Sequence, residues 1–438
     1  MEFAVFSLQT LIFVPIFSLL LLYISLYAKP KKNDPPTHGF KIYPLVGTLP
    51  DFLRNRHRFL DWSTEILSRC PTNTSVFHRP GKVHGVITAN PQIVEHMLKS
   101  NFDNYPKGPR FRTLLQDFLG TGIFNSDAGV WKTQRKSASH EFNTKSLRNF
   151  AMDNVALELR TRLIPILETA AATEKKLDLQ DTLERFAFDN VCKVAFNVDP
   201  NCLTEKKDED LLSRFIRNPR NNSPQFLRDI VINFILAGRD TTSSALSWFF
   251  WLLSSKPLVE QKILKELEFT RKKNNKSLGE SYGFDELREM HYLHASISEA
   301  MRLYPPVPID TKACEKDDTL PDGTFIGKDW FISYHTYAMG RMESIWGEDC
   351  CEYKPERWIE NGVYRQESPF KYPVFHAGPR MCLGKEMAYI QMKLIAASVL
   401  ERFAVEVLME KDECPEHLLS LTLRMKGGLP VRVKERIV

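Results

Sequence analysis

A single cysteine lies in a stretch of glycine, proline and arginine, FHAGPRMCLGKEMA, that begins at Phe375 and ends at Ala388. Cys382 stands just before a segment with helical periodicity, and a helix N-terminus favours the thiolate form of a cysteine. Such a thiolate can act as a nucleophile, a redox sensor or a metal ligand, and a nucleophile needs a nearby base. His376 is close in sequence, so the residue types alone leave these chemistries open.

The spacing around this cysteine, F-x-x-G-x-R-x-C-x-G, is more specific than its residue types. The fixed positions are Phe375, Gly378, Arg380, Cys382 and Gly384. The pattern resembles the haem-binding loop of the cytochrome P450 superfamily, the haem-thiolate monooxygenases. The resemblance implies that Cys382 is the axial ligand of a haem b iron and that Arg380 meets a haem propionate. A buried inert cysteine would leave the glycines and the arginine unexplained.

Composition argues against several other classes of protein. The chain has 438 residues with 43% hydrophobic character, enough for a large core. Its net charge of +5 is mild, and without a run of like charges we expect no nucleic-acid partner. The eight cysteines are scattered and form no CxxC pair, which favours neither a zinc cluster nor a disulfide scaffold. The only adjacent pair is Cys350 and Cys351.

The N-terminus contains a long segment without charge. Residues 3–28 are enough to span a hydrocarbon core of about 30 Å as a helix. A cleaved signal peptide would have a shorter apolar region, preceded by positive charge and followed by small residues. Glu2 precedes the segment and Lys29, Lys31 and Lys32 follow it, which predicts that the rest of the chain faces the cytosol. We expect a single-pass protein of the endoplasmic reticulum membrane.

Beyond the anchor the pattern is mainly helical. Apolar residues recur at helical spacing in NPQIVEHMLKS, SLRNFAMDNVALELRTRLIPILETAA, DLQDTLERFAFDNVCKVAFN and PLVEQKILKELEFTRKKNN. Short strand-like pieces include KVHGVITA, GTFIGKDWFISYHTYA and LLSLTLRMKGGLPVRVKE. The fold class is therefore mainly α with small β-sheets. The expected organisation is a membrane anchor over residues 1–28, a proline-containing hinge over residues 29–50 and a haem-binding monooxygenase domain over residues 51–438.

One predicted helix is apolar on most of its faces and belongs in the core. It runs for roughly 30 residues between a plausible N-cap at Ser223 and Pro257. Within it, AGRDTT places Gly238, which costs about 1 kcal/mol of helix propensity, beside a charge and two hydroxyls. The P450 resemblance implies that Gly238 opens a groove where dioxygen binds, that Thr241 hydrogen-bonds the activated oxygen and that Asp240 helps to deliver protons. Incidental polar residues in a structural helix are the alternative.

Two further motifs follow in the order that the resemblance predicts. Glu299-x-x-Arg302 places opposite charges on one helical face ahead of two prolines. This pattern alone is common on exposed helices. In the family the arginine of a P-E-R-W stretch, here Arg357, joins such a pair in a buried charge network. We therefore expect Glu299, Arg302 and Arg357 to brace the cysteine loop.

A W-x-x-x-R pair lies earlier in the chain. Trp131 and Arg135 are spaced for one helical face, and the resemblance implies that they contact a haem propionate. A solvated basic helix is the alternative interpretation. Lysines near the haem motifs could dock an acidic electron-donor flavoprotein, an NADPH-dependent diflavin reductase. They are Lys132, Lys136, Lys371 and Lys385.

The implied reaction is monooxygenation with O2 and electrons that come from NADPH through a membrane-bound reductase. More narrowly, FILAGRDTTSSALSWFFWLLS, FHAGPRMCLGKEMAYIQMK and ASHEFNTKSLRNF resemble the plant fatty-acid ω-hydroxylases, including the branch that hydroxylates jasmonoyl-isoleucine. The resemblance implies an apolar chain ending in a carboxylate as substrate, hydroxylated at its terminal region. Val307 and Ile309 are expected in the wall of the pocket.

One segment departs from the family pattern. The family usually has two long helices before the central helix, which roof the substrate channel. Here only the twenty residues from Leu203 to Asn222 intervene, too few for two helices of about 11 to 12 residues with loops. We expect a single short helix, EDLLSRFI. The rival hypothesis is therefore a membrane-anchored haem protein, or an unstable fragment, that does not catalyse.

Overall fold

The computed structural model of the chain describes residues 14–15, 17–19, 39–43, 46–80, 83–142, 145–196, 224–409, 414–418 and 420–436. The predicted anchor over residues 1–28 and the hinge over residues 29–50 fall largely outside these ranges, so both stay predictions. Among the helices of the described ranges, none is both long enough and apolar enough to cross a bilayer.

Helices dominate the described part of the chain. In chain order the α-helices are α1 (Leu49–Arg54), α2 (Phe59–Arg69), α3 (Pro91–Glu95), α4 (Gly108–Leu114), α5 (Gln116–Leu119), α6 (Ala128–Phe142), α7 (Lys145–Glu158), α8 (Ile164–Ala172), α9 (Leu179–Phe196), α10 (Pro224–Ile235), α11 (Thr241–Ser254), α12 (Pro257–Lys273), α13 (Phe284–Glu289), α14 (His291–Leu303), α15 (Thr336–Met339), α16 (Glu343–Trp346) and α17 (Lys385–Arg402). π-Helical turns follow α3, α7 and α10, at His96–Ser100, Leu159–Leu163 and Leu236–Asp240.

The strands are short and form small sheets. In chain order they are β1 (Thr74–Arg79), β2 (Val83–Thr88), β3 (Leu177–Asp178), β4 (Asp310–Ala313), β5 (Asp318–Thr319), β6 (Phe325–Ile326), β7 (Phe331–Tyr334), β8 (Ile359–Glu360), β9 (Val363–Tyr364), β10 (Phe403–Val407), β11 (His417–Leu418), β12 (Arg424–Met425) and β13 (Pro430–Glu435). The largest sheet has the order β1-β2-β7-β4, a second has the order β10-β13-β3, and three hairpins pair β5 with β6, β8 with β9 and β11 with β12.

The two strand pairings of β7 determine the arrangement of the largest sheet around it. Strands β2 and β7 run parallel with Val86 opposite Ile332, whereas β4 runs antiparallel to β7 with Lys312 opposite the same isoleucine. Strand β4 thus lies at the edge of the sheet, directly after the prolines that follow α14. This placement brings the β4 side chains next to the cysteine loop.

The central helix α10–α11 is continuous from Pro224 to Ser254 through its π-helical turn. Residues 242–250 are all buried, and the Trp248 ring stacks on Tyr304 with their centroids 4.0 Å apart. Ser244 Oγ and Trp248 Nε1 both donate to the carbonyl of Leu423, at 2.6 and 3.1 Å. Each fully buried aromatic or leucine contributes about 1.5 to 3 kcal/mol, so packing fixes this helix in the core.

The helical periodicities found in the sequence are confirmed in α3, α7 to α9 and α12, and the single long helix is confirmed by α10–α11. One strand-like piece is wrong at its end, because β7 stops at Tyr334 and Thr336–Met339 forms one buried helical turn. The amide of Met339 donates to the carbonyl of His335 at 2.8 Å, so local helical bonds replace a further strand pairing. The expected N-cap Ser223 and the short helix EDLLSRFI lie outside the described residues.

Candidate active site

The loop that presents Cys382 is closed by its own backbone. The Cys382 amide donates to the Phe375 carbonyl at 2.8 Å. Gly378 has φ of +64°, and a Cβ there would collide with the carbonyl oxygen of Leu98 in the π-helical turn His96–Ser100. A glycine is therefore needed at this position, both for its backbone angle and for its close approach. The loop ends where Gly384 caps α17.

Cys382 is an exposed residue, but its sulfur is surrounded by many protein atoms. This burial raises the pKa of the thiol, while the Gly384 amide and the charges of Arg135 and Lys385 lower it. A Cβ on Gly384 would stand 3.8 Å from Sγ, at ordinary van der Waals distance, so this glycine lies directly beside the sulfur. A metal ion deprotonates a coordinating thiol outright, so the raised pKa of the free thiol is compatible with a ligand role.

Arg380 is held in place by three groups on one short segment. Its guanidinium lies 4.4 Å above the Trp131 ring, and its Nη2 donates to Asp127 Oδ1 at 2.7 Å and to the Ser126 carbonyl at 2.9 Å. Its buried Nε has no hydrogen-bond partner within the described part of the chain. Sequence reasoning missed Asp127, whose position directly before α6 was the available signal.

Arg135 lies one helical turn after Trp131 and is half-buried. Burial lowers its pKa, whereas nearby Cys382 raises it. Among the residues that the structure describes, no carboxylate forms an ion pair with it. A cation without an anionic partner, beside an arginine with an unused buried donor, suits a ligand that carries carboxylates. A thiol donor and these two cations fit a haem whose iron is bound by Cys382 and whose propionates face Arg135 and Arg380.

A second charged cluster stands beside the cysteine loop. Asp310 Oδ1 lies 2.5 Å from Lys107 Nζ, and its Oδ2 lies 2.8 Å from Lys312 Nζ and 3.2 Å from His376 Nε2. Burial acts to raise the pKa of Asp310, but the two lysines hold it well below its ordinary value. Burial lowers the pKa of Lys312, against the opposing effect of Asp310. Sequence reasoning did not identify Asp310, Lys312 or Lys107.

His376, the candidate base for a nucleophilic cysteine, is engaged elsewhere. Its Nε2 faces Asp310 and Lys312, and its Nδ1 accepts from the Ala377 amide at 2.8 Å. Burial and the Lys312 charge lower its pKa to about 4. Its backbone has φ of 60° and ψ of −175°, a conformation that residues other than glycine seldom adopt. Both ring nitrogens of the histidine therefore have partners other than the cysteine.

Glu299, Arg302 and Arg357 meet in one buried network. Arg302 Nε and Nη2 donate to the two carboxylate oxygens of Glu299 at 2.7 and 2.8 Å, and both side chains are fully buried. Arg357 Nε donates to the same carboxylate at 3.3 Å, and Trp358 Nε1 donates to it at 2.8 Å. The carboxylate thereby accepts bonds from three side chains, which offsets the cost of burying its charge.

The same arginines also hold a loop, residues 346–352, which we call the arginine-bound loop. Arg302 Nη1 donates to the Cys350 carbonyl at 2.5 Å, and its Nη2 donates to the Glu352 carbonyl at 2.9 Å. Arg357 donates to the carbonyls of Trp346 and Asp349 at 2.9 and 3.0 Å. The network thus ties α14 to the chain that leads into the cysteine loop.

The π-helical turn Leu236–Asp240 carries the remaining predicted site residues. A Cβ on Gly238 would approach Val191 of α9 to 2.5 Å, so the packing of two helices is by itself a reason for this glycine. Thr241 Oγ1 donates back to the Ala237 carbonyl at 2.5 Å. π-Helical turns are frequent at functional sites, and the groove that Gly238 is expected to open stays a prediction.

Asp240 belongs to a chain of alternating charges. Its Oδ1 lies 3.6 Å from Arg239 Nε, Arg239 Nη2 lies 3.6 Å from Glu184, and Arg424 lies 2.7 Å from Glu184. Burial raises the pKa of Asp240, and the charges of Arg239 and Arg424 oppose this effect. This turn packs on α9, and its charged residues also meet Arg424 of the C-terminal segment. The roles of Asp240 and Thr241 in proton delivery therefore stay predictions.

The predicted docking lysines and pocket residues have mixed environments. Lys132 and Lys136 are exposed, Lys385 is half-buried, and Lys371 contacts Glu367 at 3.2 Å. The Phe375 ring packs on Tyr389. Val307 is 38% exposed, whereas Ile309 packs against the core.

Exposed apolar side chains flank the central helix, and we call them the distal rim. They are Leu114, Phe118, Phe124, Val307 and Leu421. Two tethers hold the segments that carry them. The Thr121 amide donates to Asp229 and the Phe124 amide to Asn233, at 2.8 and 3.3 Å, nine and five residues before Gly238. The Leu423 amide donates to the Pro306 carbonyl at 2.9 Å.

Comparison with known proteins gives one family. The cytochrome P450 family model matches residues 38–224 and 205–429, two segments that meet where the chain is short of residues. Cytochrome P450 CYP94D108 of Paris polyphylla is 47% identical over 478 aligned positions, covering 93% of this chain and 94% of that protein. Cytochrome P450 94A2 of Vicia sativa is 39% identical, covering 98% and 99%. Cytochrome P450 94C1 of Arabidopsis thaliana is 42% identical, covering 86% and 89%.

The first alignment is longer than the whole chain, so part of that relative faces a gap. The two matches overlap over residues 205–224, and the split between them lies in the segment where the chain is short of residues before the central helix. Members of this family use a haem with a cysteine thiolate on its iron, and a redox partner supplies electrons from NADPH. The chain belongs to the cytochrome P450 family and is a P450 monooxygenase of the CYP94 type.

Proposed function

We propose that this P450 hydroxylates the terminal region of fatty acids. The observation that carries the proposal is the position of the distal rim, whose segments bond to the central helix at Asp229 and Asn233, before the polar turn, and at Ser244, after it. An apolar rim suits an alkyl chain, and the turn would meet the end of that chain. The resemblance of the AGRDTT and cysteine segments to plant fatty-acid ω-hydroxylases and the relatives of the CYP94 type support this substrate class.

Each candidate site residue would have its own role in this reaction. Cys382 would bind the haem iron, and a thiolate-ligated haem supplies the activation of dioxygen. Arg135 and Arg380 would hold the propionates and thereby orient the haem. Asp240, with a raised pKa and two arginines nearby, is suited to hold and pass on a proton. Thr241, whose hydroxyl donates to the Ala237 carbonyl, would work beside Asp240 in the delivery of protons.

The proposal includes location and electron supply. The uncharged segment over residues 3–28 supports an anchor in the endoplasmic reticulum membrane, with the monooxygenase domain in the cytosol and in contact with lipid. A diflavin reductase would supply electrons from NADPH. The exposed Lys132 and Lys136 on α6, the helix that carries Trp131 and Arg135, support docking of an acidic partner there.

The first experiment is the carbon monoxide difference spectrum of the reduced, detergent-solubilised protein. We expect a red-shifted Soret band that Cys382→Ser abolishes and that Cys414→Ser leaves unchanged. Turnover of a lauric-to-stearic acid series with NADPH and a plant reductase follows, with jasmonoyl-isoleucine as a parallel substrate. We expect terminally hydroxylated fatty acid, and correctly loaded haem without any such product would contradict the proposal.

A second candidate is a membrane haem protein that binds haem but does not catalyse. The shortage of residues before the central helix and the exposure of the distal rim favour it. The two candidates share the thiolate spectrum and differ in the ratio of product formed to NADPH consumed. Tight coupling supports the hydroxylase, and NADPH consumption with peroxide as the only product supports the second candidate.

A further inference from the structure

Two adjacent cysteines lie in the arginine-bound loop, far in sequence from the haem-ligand cysteine. Cys350 is buried and Cys351 is exposed, and their sulfur atoms are 3.9 Å apart. Neither belongs to the haem motifs. The Cys350 thiol donates to the Arg341 carbonyl at 3.3 Å, which keeps its sulfur on the protein side of the turn. A buried and an exposed thiol in contact form a dithiol that an oxidant can reach from one side.

We propose that Cys350 and Cys351 are a reversible redox modification site, oxidised by hydrogen peroxide to a disulfide between neighbouring residues. The exposed Cys351 reacts first. Its sulfur takes one oxygen from peroxide and becomes a sulfenic acid, and one water leaves. The Cys350 sulfur then displaces that oxygen as a second water, and the S–S bond forms. The two thiols lose two electrons and two hydrogens, and one peroxide is reduced.

The bond would be strained and therefore reversible. Neighbouring Cα atoms are about 3.8 Å apart across a trans peptide, whereas ordinary disulfides have Cα atoms about 4.4 to 6.8 Å apart. Strained disulfides are reduced more readily than structural ones. The cytosolic thiol pool can thus restore the dithiol, which distinguishes a regulatory bond from a structural one.

Ring closure acts on the charge network through one peptide group. The peptide that joins Cys350 to Cys351 is part of the disulfide ring, and its carbonyl is the one that accepts from Arg302 Nη1 at 2.5 Å. Because the ring twists this peptide, the carbonyl must leave its position. Arg302 is fully buried, so water cannot easily replace the carbonyl as an acceptor. Oxidation of the dithiol therefore loosens the arginine-bound loop, including the neighbouring Glu352 and Asp349 carbonyls.

The chemical test uses the full-length, haem-loaded protein in detergent. It is treated with hydrogen peroxide, free thiols are alkylated, and the protein is digested with trypsin. Cleavage after Arg341 and Arg357 releases residues 342–357, which contain these two cysteines and no other, because Lys354 precedes a proline. We expect this peptide to lose two hydrogens and to carry no alkyl group, with full alkylation restored by dithiothreitol.

Matched variants separate the dithiol from general thiol oxidation. Cys351→Ser replaces an exposed residue and should eliminate the unalkylated peptide, leaving Cys350 alkylated. Cys414→Ser removes another exposed cysteine, whose sulfur lies 3.2 Å from the Tyr304 hydroxyl, and should change nothing in this peptide. Two alkylated cysteines after peroxide, a sulfinic acid on Cys351, or a disulfide between two chains would each overturn the proposal.

The structural consequence has its own measurement. In the wild type and in Cys414→Ser, peroxide should lower Tm by about 2 to 4 °C and speed amide exchange in residues 346–352, and dithiothreitol should reverse both effects. In Cys351→Ser neither change should occur. An oxidised peptide with unchanged exchange in the arginine-bound loop would contradict the coupling to Arg302.

Discussion

The cysteine side and the distal rim of this P450 differ in the kind of side chain that they contain and in how those side chains are held. On the cysteine side, Glu299 and Arg302 are fully buried and Arg357 is partly buried, and the two arginines bond to Glu299 and to the carbonyls of the arginine-bound loop. On the rim, large apolar side chains such as Leu114 face solvent. Backbone amides that donate to Asp229 and Asn233, and the bond from the Leu423 amide to the Pro306 carbonyl, hold the segments of the rim.

The two sides also differ in which segments of the chain supply their contacts. The contacts of Cys382, Arg380 and Glu299 come from residues 98–142 and from residues beyond 290. Among the described residues, the cysteine side therefore draws none of these contacts from the segment before the central helix. The rim lacks comparable cover among the described residues, so the substrate side is where a shortened chain should fail first.

We expect the largest effect on stability from a substitution at the centre of the buried network. Glu299→Gln leaves the fully buried charge of Arg302 without its carboxylate partner, which should cost about 3 to 5 kcal/mol in the free energy of unfolding. Urea unfolding and the carbon monoxide spectrum should both report this destabilisation. Glu268→Gln, at an exposed carboxylate on α12, is the control and should leave both unchanged. A stable Glu299→Gln protein with a normal spectrum would remove the contrast between the two sides.

The next largest effect should be on the rate at which haem leaves the protein, through the residues expected to bind its propionates. Arg135→Gln removes a charge-assisted bond worth about 1.5 to 3 kcal/mol, so haem should leave roughly 10 to 100 times faster. Transfer of haem to apomyoglobin measures that rate. Lys132→Gln, an exposed neighbour on the same helix, should leave the rate unchanged. Equal rates in both variants would mean that Arg135 does not face the haem.

A smaller effect, with a defined pH dependence, should come from the central helix. Because burial raises the pKa of Asp240, the fold favours the protonated carboxyl, and this contribution to stability is lost as pH rises through that pKa. Asp240→Asn should therefore have a higher Tm than wild type near neutral pH. The gap should close as pH falls toward about 4, the ordinary range of an aspartate.

Thermal unfolding across this pH range, with product formed per NADPH consumed, checks the prediction for Asp240. The coupling ratio should fall in the same variant that gains stability. Asp153→Asn, at an exposed carboxylate on α7, should change neither quantity. A higher Tm at all pH values alike would contradict the assigned cause.

The smallest effect on folding should come from the distal rim. Leu114 is 74% exposed, so Leu114→Ser should change the free energy of unfolding by less than about 0.5 kcal/mol. Binding of lauric acid, followed by the Soret shift, should weaken about fourfold for each methylene group that the rim no longer covers. Leu258→Ser, at an equally exposed leucine on α12, should leave binding unchanged. A large drop in stability in Leu114→Ser would show that the rim is part of the core.

Much of this protein follows from local sequence patterns. The spacing around Cys382 identifies the loop, because Gly378 must adopt positive φ and approach the Leu98 carbonyl. Helical periodicity predicts α9, α12 and the central helix, because apolar residues at that spacing can be buried only as helices. The Glu299 and Arg302 pair can also be predicted from the sequence, because residues three apart share a helical face.

Other features depend on contacts between distant segments, and only the tertiary structure decided them. Asp127 meets Arg380, and Lys107 and His376 meet Asp310, across separations of more than sixty residues along the chain. No periodicity marks such pairs, because each partner is an ordinary charged residue in its own segment. The sequence by itself determined the haem-ligand loop and the helices that carry the motifs. The three-dimensional packing decided which charges are buried together, because burial depends on what the rest of the chain brings alongside.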